Sequence, residues 1–588
     1  MTFEFGPFRL DEAARALQLE GRELPLQPRV FDLLVYLVHR RERVVSKDEL
    51  LDALWPGTTV TDNSVQRAVS TLRGVLREGG MEEAVRNFPK SGYRFCVDAP
   101  ETPAAQPDAQ TDSDLGAARQ ATSEQRWADA AALFAECDAI DELGAEDLDR
   151  WALALQCLGK PSDAIPILVR SAASHTQADR RDLAAVNAVS LATIHLERGE
   201  APLAKGWLAR AQDLVATHPD SLAAGLLLWM SGRAAAFEGN LQGALELAGK
   251  AYDFGRKVGD FRIESLGLMY RGFFRMSLGE TRAGLADQDH AAALALSNKL
   301  DPITGGVLYC NILWTCRSFG DWARAAQWTI GYQQFCTASG VGFSGSCQLH
   351  RAEVLGLQGS LLDALAHIDD ALTRLSDDAP WALGDAHRVL GDIQAAIGNT
   401  DAAFAAYEKS YALGWSPEPG RAMLLAERGD IEAAYASLER SLIGQGWWML
   451  QRQGMLLAHL ALVAALSGRT EKAAALIGDL AGQEERWPMP SIRALINEAS
   501  AILARGRGAT DEALRHLHLA RQLWTSVDSR PNATRVRLQI AALQMDLGDA
   551  SGAMTEIRTA LITADELKSE KLTRQCRALQ ARLESLAS

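Results

Sequence analysis

The chain has 588 residues, a formal net charge of −15 and 47% apolar residues. A chain of this length exceeds one hydrophobic core, so several domains or a repeat array are expected, and its acidic charge excludes general affinity for polyanions. The charge is uneven, because residues 60–95 hold six basic residues against four acidic ones. A local basic excess on an acidic chain favours one restricted binding face.

Cysteines and apolar runs exclude several classes of protein. The eight cysteines include no CxxC pair and no Cys/His cluster at zinc spacing, so we expect no metal and no cofactor. Buried thiols in a reducing compartment are favoured, with a redox sensor as the alternative. The N-terminus lacks a basic segment before an apolar run, and the longest apolar runs fall short of the roughly 20 residues that span a bilayer. We therefore expect a cytoplasmic protein without membrane contact.

The first hundred residues predict a small α+β domain. Residues 3–26 alternate apolar and polar positions around glycine turns, which indicates short strands. Pro28 opens an apolar helix, and Ser46 with Glu49 predicts a capping box at the start of a second helix. Residues 88–97, FPKSGYRFCV, indicate a terminal hairpin. The expected core includes Phe31, Leu34, Trp55, Tyr93 and Phe95.

The stretch from Thr61 to Arg77, TDNSVQRAVSTLRGVLR, predicts a third helix that Thr61 or Asp62 would cap. Its apolar stripe consists of Val65, Val69, Leu72 and Leu76. The opposite face and its edges carry small, polar or basic residues: Asn63, Ser64, Gln66, Arg67, Ser70, Thr71, Arg73, Gly74 and Arg77. Such side chains can reach base edges and phosphates from a helix in the major groove. An ordinary solvated helix face is the alternative.

Four sequence words follow one another across residues 3–97: LQPRVFDLLVYLV, RVVSKDELLDALWP, VTDNSVQRAVSTLRGVLR and FPKSGYRF. Together they resemble the winged-helix DNA-binding domain of the OmpR/PhoB type, in particular its ToxR/CadC-like members. The resemblance implies a winged helix-turn-helix that places its third helix in the major groove of double-stranded DNA, with the Lys90–Arg94 hairpin as the wing. Arg73 and Arg94 fall on basic positions of the family pattern, whereas phosphate-sensing relatives often carry basic residues where this chain has Ser70 and Thr71.

The helix face and the resemblance together define the predicted DNA-binding residues. They are Asn63, Ser64, Gln66, Arg67, Ser70, Thr71, Arg73, Arg77, Lys90 and Arg94. RNA polymerase is a further expected partner. Family members often bind tandem half-sites, so a dimer on DNA is also expected.

Residues 99–114, APETPAAQPDAQTDSD, are rich in Pro, Ala and Asp and show no periodicity. This composition predicts a flexible linker between a DNA-binding domain at residues 1–98 and a second domain at residues 115–588.

The second domain is periodic. A glycine is followed five residues later by a small residue, from Gly159 and Ala164 to Gly548 and Ala553, at glycine spacings of 39–41 with one of 31. Each period predicts a helical hairpin in which the glycine ends the first helix and the small residue lies where the helices approach closely. About twelve such hairpins would stack into an all-α superhelical solenoid. The short spacing and two prolines predict an irregular joint near residues 415–420.

The array is similar to the tetratricopeptide-like domain of large LuxR-type regulators. The similarity is clearest over residues 301–560, in words such as FGDWARAAQW and RVRLQIAALQMDLGDASGAM. Those regulators usually carry an ATPase, but no GxxxxGK[ST] motif occurs in this chain, and no catalytic set is apparent. We therefore expect no enzyme activity and assign sensing to the array.

Seven of the 14 tryptophans lie in residues 301–450, where they could anchor a ligand or fill the stacked core. The favoured function is a sequence-specific transcriptional regulator whose array senses a small molecule or a protein. The alternative is a protein-interaction scaffold whose winged helix no longer binds DNA.

Overall fold

The computed structural model describes residues 2–587 except 13, 20, 55–61, 90, 98–100, 103–108, 297–299, 343 and 445–446. The chain forms two compact units, Met1–Asp114 and Leu115–Ser588. Trp55, Thr61 and Lys90 therefore lie outside the described residues, as do the side chains of Asp62 and Asn63. The helix cap predicted at Thr61 or Asp62 therefore also lies outside the described side chains.

The first unit contains one antiparallel sheet, three helices and a hairpin. The elements are β1 Thr2–Phe5, β2 Phe8–Asp11, β3 Ala16–Leu19, β4 Arg22–Leu24, α1 Pro28–His39, α2 Lys47–Leu54, α3 Asp62–Arg77, β5 Val85–Phe88, β6 Gly92–Phe95 and β7 Glu101–Thr102. The sheet has the strand order β4-β3-β2-β1-β7. This is the α+β winged helix-turn-helix that the sequence predicts.

Period-two alternation places the sheet against the helices. Phe3 and Leu10 are buried and face each other across β1 and β2, whereas Glu4 and Arg9 are exposed. The buried aromatic face packs on the apolar sides of α1 and α3, which form one core with the sheet. The predicted core residues Phe31, Leu34, Tyr93 and Phe95 are all buried.

The start of α2 carries half of the predicted capping box. The Ser46 hydroxyl accepts a hydrogen bond from the Glu49 amide at 3.1 Å. The Glu49 carboxylate instead accepts from Arg43 at 2.6 and 2.7 Å and from the Tyr36 hydroxyl at 3.1 Å. The hydrogen bond from Arg43 lowers the pKa of Glu49. The carboxylate thus ties α2 to α1 and to the loop between them.

Residues 99–114, for which composition predicts a flexible linker, include parts of two described elements. β7 lies within this range and pairs with β1, with Thr102 opposite Thr2. α4 also begins inside it, at Ala109. Strand pairing uses backbone groups that composition does not reveal, and the alanine and glutamine at the start of α4 favour a helix.

The second unit is an all-α superhelical array of tetratricopeptide-like hairpins. Its described residues form twelve hairpins and a final helix. The helices are α4 Ala109–Ser123, α5 Trp127–Ile140, α6 Ala145–Cys157, α7 Pro161–Gln177, α8 Arg181–Glu197, α9 Ala201–Val215, α10 Leu222–Phe237, α11 Leu241–Val258, α12 Phe261–Ser277, α13 Thr281–Ala295, α14 Pro302–Phe319, α15 Trp322–Ser339, α16 Gly345–Gln358, α17 Leu361–Asp378, α18 Leu383–Ile397, α19 Thr400–Ala412, α20 Gly420–Glu427, α21 Ile431–Ser441, α22 Gln453–Leu466, α23 Thr470–Gly482, α24 Pro490–Gly506, α25 Thr510–Ser526, α26 Arg530–Asp546, α27 Ala550–Glu566 and α28 Glu570–Ala587.

The periodic glycines make the turns inside these hairpins. Each of the eleven glycines from Gly159 to Gly548 has a positive φ, as predicted, and Gln125 adopts the same left-handed conformation at φ 59° in the first hairpin. The small residues that follow are buried between the paired helices. At Gly284 the approach is so close that an added Cβ would lie 2.6 Å from the Gly272 carbonyl oxygen.

The array also closes on itself, because helix ends and turns of one hairpin form hydrogen bonds with those about five hairpins later. The indole of Trp127 donates to the Ser339 carbonyl at 2.7 Å, and the Ser491 hydroxyl donates to the Gly320 carbonyl at 2.6 Å. The Lys571 ammonium donates to the Ala395 carbonyl at 3.4 Å. Successive superhelical turns therefore pack directly on one another.

Two segments of the array depart from its regular pattern. α20 has only eight residues and follows the cis peptide bond between Glu418 and Pro419. The stretch Met449–Leu466 is apolar and long enough to cross a membrane by composition alone, but 61% of it is buried inside the protein. A buried core helix of a folded domain passes the same test of length and composition.

Candidate nucleic-acid interface

The helix α3 owes its orientation to its apolar stripe. Val65, Val69, Leu72 and Leu76 are at most 2% exposed and pack into the core that α1 and the sheet share. Burial of four such side chains stabilises this orientation by several kcal/mol, at roughly 1.5–3 kcal/mol for each. The opposite side of α3 must therefore face away from the core of this unit.

That opposite side is a polar surface with an arginine toward each end. Gln66, Arg67, Ser70, Thr71 and Arg77 are exposed, and Ser64 is half-buried. Gly74 is exposed in the same row, and an added Cβ there would have no heavy atom within 4 Å. The Thr71 hydroxyl donates to the Arg67 carbonyl at 3.0 Å. Apart from Asp62 at its start, the α3 sequence contains no acidic residue.

Arg73 is turned away from this row and toward its own domain. Its Nε and Nη2 donate to the Val85 carbonyl at 2.8 and 2.6 Å, and the residue is half-buried. The guanidinium thereby connects α3 to β5, the first strand of the hairpin. Arg73 has a structural partner in addition to its predicted contact with DNA.

The hairpin β5–β6 is the candidate wing. Val85 lies opposite Phe95, and Phe88 lies opposite Gly92. Tyr93 exchanges two backbone hydrogen bonds with Val45, at 2.8 and 2.9 Å, which attach the hairpin to the segment before α2. Only glycine fits at position 92, because φ is 132° and a Cβ would lie 1.9 Å from the Val45 carbonyl oxygen.

The wing contains basic residues that sequence reasoning used only in part. The predicted Arg94 is half-buried, and its Nε donates to the Arg41 carbonyl at 2.7 Å. Arg86 lies directly opposite Arg94 in the neighbouring strand and is exposed, as is Asn87. Both Arg86 and Asn87 were missed. The sequence could have identified Arg86, because it lies on the strand that pairs with the strand of Arg94.

The array has a separate aromatic cluster. Trp314 lies 5.4 Å from Trp381 and 6.0 Å from Trp415 between ring centroids, so these three tryptophans pack on one another. The side chains of Trp447 and Trp448 fall outside the described residues. Within the described part of the chain, no group of three His, Cys, Asp or Glu residues could hold a metal ion.

Comparison with known families concerns the first unit. The sequence profile of the family "Transcriptional regulatory protein, C terminal" matches residues 21–95. The transcriptional activator CadC of Escherichia coli K12 is 33% identical over 94 residues, which are 16% of this chain and 18% of CadC. The regulator HilA of Salmonella typhi is 31% identical over 111 residues, covering 18% of this chain and 20% of HilA. The phosphate regulon regulator PhoB of Escherichia coli K12 is 33% identical over 98 residues, covering 16% of this chain and 42% of PhoB.

The chain thus spans about a fifth of the length of the first curated relatives it matches. Among solved structures, the DNA-binding domain of Escherichia coli CadC is 30% identical and covers 17% of this chain and 94% of its own, with a TM-score of 0.16. The hetero-tetramer Cut9–Hcn1 of the APC/C is 16% identical and covers 80% of this chain and 96% of its own, with a TM-score of 0.30.

Proposed function

We propose that the chain is a cytoplasmic, sequence-specific transcriptional regulator, because residues 21–95 form a transcriptional-regulator DNA-binding domain of the OmpR/PhoB type. The observation that carries this proposal is the outer side of α3, where Gln66, Arg67, Ser70, Thr71 and Arg77 are exposed while the apolar stripe is buried. A helix fixed on one side, with polar and basic groups on the other, fits the major groove.

The proposed contacts divide by chemistry. Arg67 can form two hydrogen bonds with a guanine edge, and Gln66 can do so with an adenine edge. Arg77 at the end of α3 and Arg86 on the wing are proposed to bind phosphates, which position the protein without reading sequence. Asn63, Ser64, Lys90 and Arg94 complete the proposed interface. Ser70 and Thr71 are short enough for the helix to approach the bases closely.

The array is proposed as the part that regulates DNA binding, as a sensor or as a platform for a partner protein. Its stacked hairpins form a continuous body with buried polar groups, which a ligand could bind without a separate domain. RNA polymerase and a second copy of the chain on tandem half-sites are proposed partners of the DNA-bound form.

The test is a gel-shift titration of the full chain with the DNA upstream of its own gene. The variant is Arg67→Ala with Arg77→Ala. Both side chains are exposed, and neither forms an ion pair with another described residue, so the domain should stay folded. We expect affinity to fall about tenfold or more, since each lost contact to DNA is worth about 1 kcal/mol or more.

The matched control is Arg9→Ala, which removes an exposed arginine from β2 in the sheet. Its DNA affinity should equal that of the unmodified chain. Unchanged affinity in the α3 double variant would contradict the groove assignment. The scaffold function would then be favoured, because residues 1–98 hold 14 basic residues against 15 acidic ones and lack a general attraction to DNA.

A further inference from the structure

A cavity of about 90 Å³ lies among the first helices of consecutive hairpins of the array. Its wall comes from α8, α10, α12, α14 and α16, together with Trp381 before α18. Two lining residues at the ends of α8 and α10 are accessible to solvent, since Glu197 is half-buried and Phe237 is exposed. They give a small molecule a route into the cavity. A volume of this size holds a few water molecules or one small molecule, and it is too small for a peptide.

Two cysteine side chains meet at this wall. Cys310 of α14 is half-buried and lines the cavity, whereas Cys347 of α16 is buried beside it. The two thiols are hydrogen-bonded to each other, and this bond raises the pKa of Cys310 and lowers the pKa of Cys347. All eight cysteines of the chain are free thiols. The pair is therefore a reduced dithiol with one member that a small molecule can reach.

The surroundings of Cys347 stabilise a thiolate. Its Sγ lies 2.9 Å from the Tyr332 hydroxyl oxygen and 2.9 Å from the Ser344 hydroxyl oxygen, and both groups can donate to a negatively charged sulfur. Cys347 is also in the first turn of α16, where free backbone amides favour negative charge. The hydrogen bond from Cys310, followed by those from Ser344 and Tyr332, lowers the pKa of Cys347 to about 7 against the opposing effect of burial.

Other buried cysteines of the array lack this stabilisation. Burial raises the pKa of Cys157 and Cys336 to about 12 and the pKa of Cys576 to about 11. Thiols with such pKa values stay protonated at neutral pH and react slowly with oxidants. Oxidation of the chain should therefore be selective for the pair.

His350 stabilises negative charge on the accessible sulfur. Burial, followed by the nearby Arg317, lowers the pKa of His350, so its imidazole is neutral. Its Nδ1 accepts a hydrogen bond from Arg317 Nη1, because a guanidinium group can only donate. The single ring proton is then on Nε2, which lies 3.4 Å from the Cys310 Sγ. His350 thus donates to the Cys310 sulfur, and the Cys310 thiol donates in turn to the Cys347 thiolate.

We propose that Cys310 and Cys347 form an oxidation site, at which a small hydroperoxide enters the cavity and converts the two thiols into an intramolecular disulfide. The Cys310 sulfur attacks the outer oxygen of the hydroperoxide while its proton passes to the Cys347 thiolate. The O–O bond breaks, and the departing alkoxide, or hydroxide from hydrogen peroxide, takes that proton from Cys347. This step leaves a sulfenic acid on Cys310, an alcohol or water, and the Cys347 thiolate.

The second step closes the disulfide. The Cys347 thiolate attacks the sulfur of the Cys310 sulfenic acid, the S–S bond forms, and the displaced hydroxide takes up one proton from solvent to become water. The two sulfurs together supply the two electrons that reduce the hydroperoxide. The disulfide would join α14 to α16. The proposal goes beyond the proposed function, because the site is defined by its own chemistry whether or not α3 binds DNA.

The test is peptide mapping of the full chain by mass spectrometry after treatment with a small excess of hydrogen peroxide or tert-butyl hydroperoxide. We expect two of the eight thiols to be lost and one peptide pair to be joined between Cys310 and Cys347. Dithiothreitol should restore both thiols. A loss of thiols spread over all the cysteines, or a disulfide between other cysteines, would overturn the proposal. This result needs no variant, so it does not depend on how well a variant folds.

Variants then assign the role of each sulfur. Cys347→Ser should stop the reaction at the Cys310 sulfenic acid, which dimedone traps. Cys310→Ser should abolish the disulfide and leave Cys347 reduced, and oxidation of Cys347 in this variant would contradict entry through the cavity. Cys96→Ser is the matched control, because Cys96 is also half-buried but lies in the first unit. It should leave the yield of the disulfide unchanged.

His350 is a positioning residue for this reaction. His350→Leu should slow the loss of the Cys310 thiol about tenfold or more, because a hydrogen bond to a charged sulfur is lost. His350→Gln, which keeps an N–H donor, should retain part of the rate. Equal rates in the unmodified chain and His350→Leu would exclude this role. Circular dichroism shows whether each variant keeps its helices.

The two proposals can fail separately. The disulfide is detected without DNA, so loss of the DNA-binding assignment would leave the result in place. A disulfide that forms without changing DNA affinity would support the oxidation site and count against the sensor role of the array.

Discussion

Arg86 and Arg94 lie directly opposite each other on the two strands of the wing. Like charges in this arrangement disfavour the hairpin by a few tenths of a kcal/mol. The Arg94 guanidinium is held by the Arg41 carbonyl, which leaves the exposed Arg86 as the wing arginine that is more accessible to solvent. A phosphate bound between or beside the two side chains would relieve the repulsion.

We therefore expect Arg86→Ala to weaken DNA binding while leaving the stability of the domain equal or slightly higher. Loss of one phosphate contact should lower the slope of log affinity against log salt by about one. Fluorescence anisotropy at several salt concentrations measures this slope. Arg9→Ala serves as control, and an unchanged slope in Arg86→Ala would exclude a phosphate contact at this position.

The variant Gly74→Ala tests the stability of α3 and its contact with DNA as two separate quantities. Gly74 lies in the exposed row of α3 with open space at its Cβ position, so alanine should stabilise the helix by about 0.5–1 kcal/mol. If α3 lies in the groove, the added methyl group should nevertheless leave DNA affinity unchanged or reduce it. Thermal unfolding and anisotropy give the two values, and a lower melting temperature would contradict the exposed position.

The close approach of α12 and α13 predicts an effect of the opposite sign. In Gly284→Ala the new Cβ would lie 2.3 Å from the Met276 Cγ and 2.6 Å from the Gly272 carbonyl oxygen. Overpacking should destabilise the array by about 1–3 kcal/mol. Gly249→Ala is the matched control, because its Cβ would meet only the Arg271 Cδ, at 4.0 Å. Equal melting temperatures for the two variants would contradict the close packing of α12 on α13.

Asp378, the last residue of α17, should make stability depend on pH. Burial, followed by the neighbouring Asp377, raises the pKa of Asp378 to about 6. The folded chain then holds this proton more tightly than the unfolded chain, whose aspartate pKa is about 4. The contribution of Asp378 to stability is therefore full below about pH 4 and is lost as pH rises through about 6.

Asp378→Asn lacks this titration, so its stability relative to the unmodified chain should increase between about pH 4 and pH 7, by about 1 kcal/mol after allowance for solvent screening. Thermal unfolding at both pH values measures the difference. Asp369→Asn changes an exposed aspartate of the same helix and should show a smaller change. A constant difference between Asp378→Asn and the unmodified chain would contradict the raised pKa.

Much of the fold follows from local patterns. The stripe from Val65 to Leu76 determines which side of α3 is buried, and the glycine period marks the left-handed turns of the array. Both are short-range features, since a helical face and a turn are determined by residues close in sequence.

The remaining features depend on partners that sequence does not reveal. Arg73 bonds a backbone carbonyl, at Val85, and every residue offers such an acceptor. Glu49 bonds Arg43 and Tyr36 in place of the second half of its capping box. The Trp127 indole bonds the Ser339 carbonyl although 212 positions separate them, because the superhelix closes only over several hairpins. Long-range closure of this kind has no local signature.

Whether α3 reads DNA can be decided from the salt dependence of specific DNA binding by the full chain, measured by anisotropy on a site found by genome-wide mapping. We expect the affinity for DNA to fall steeply as the salt concentration rises. If both arginines contact phosphate, the Arg67→Ala with Arg77→Ala variant should lose about two units of the slope of log affinity against log salt. If they contact bases, the variant should lose affinity while the slope stays the same. Binding by the double variant that matches the unmodified chain in both affinity and slope would contradict the assignment of α3 as the DNA-reading helix.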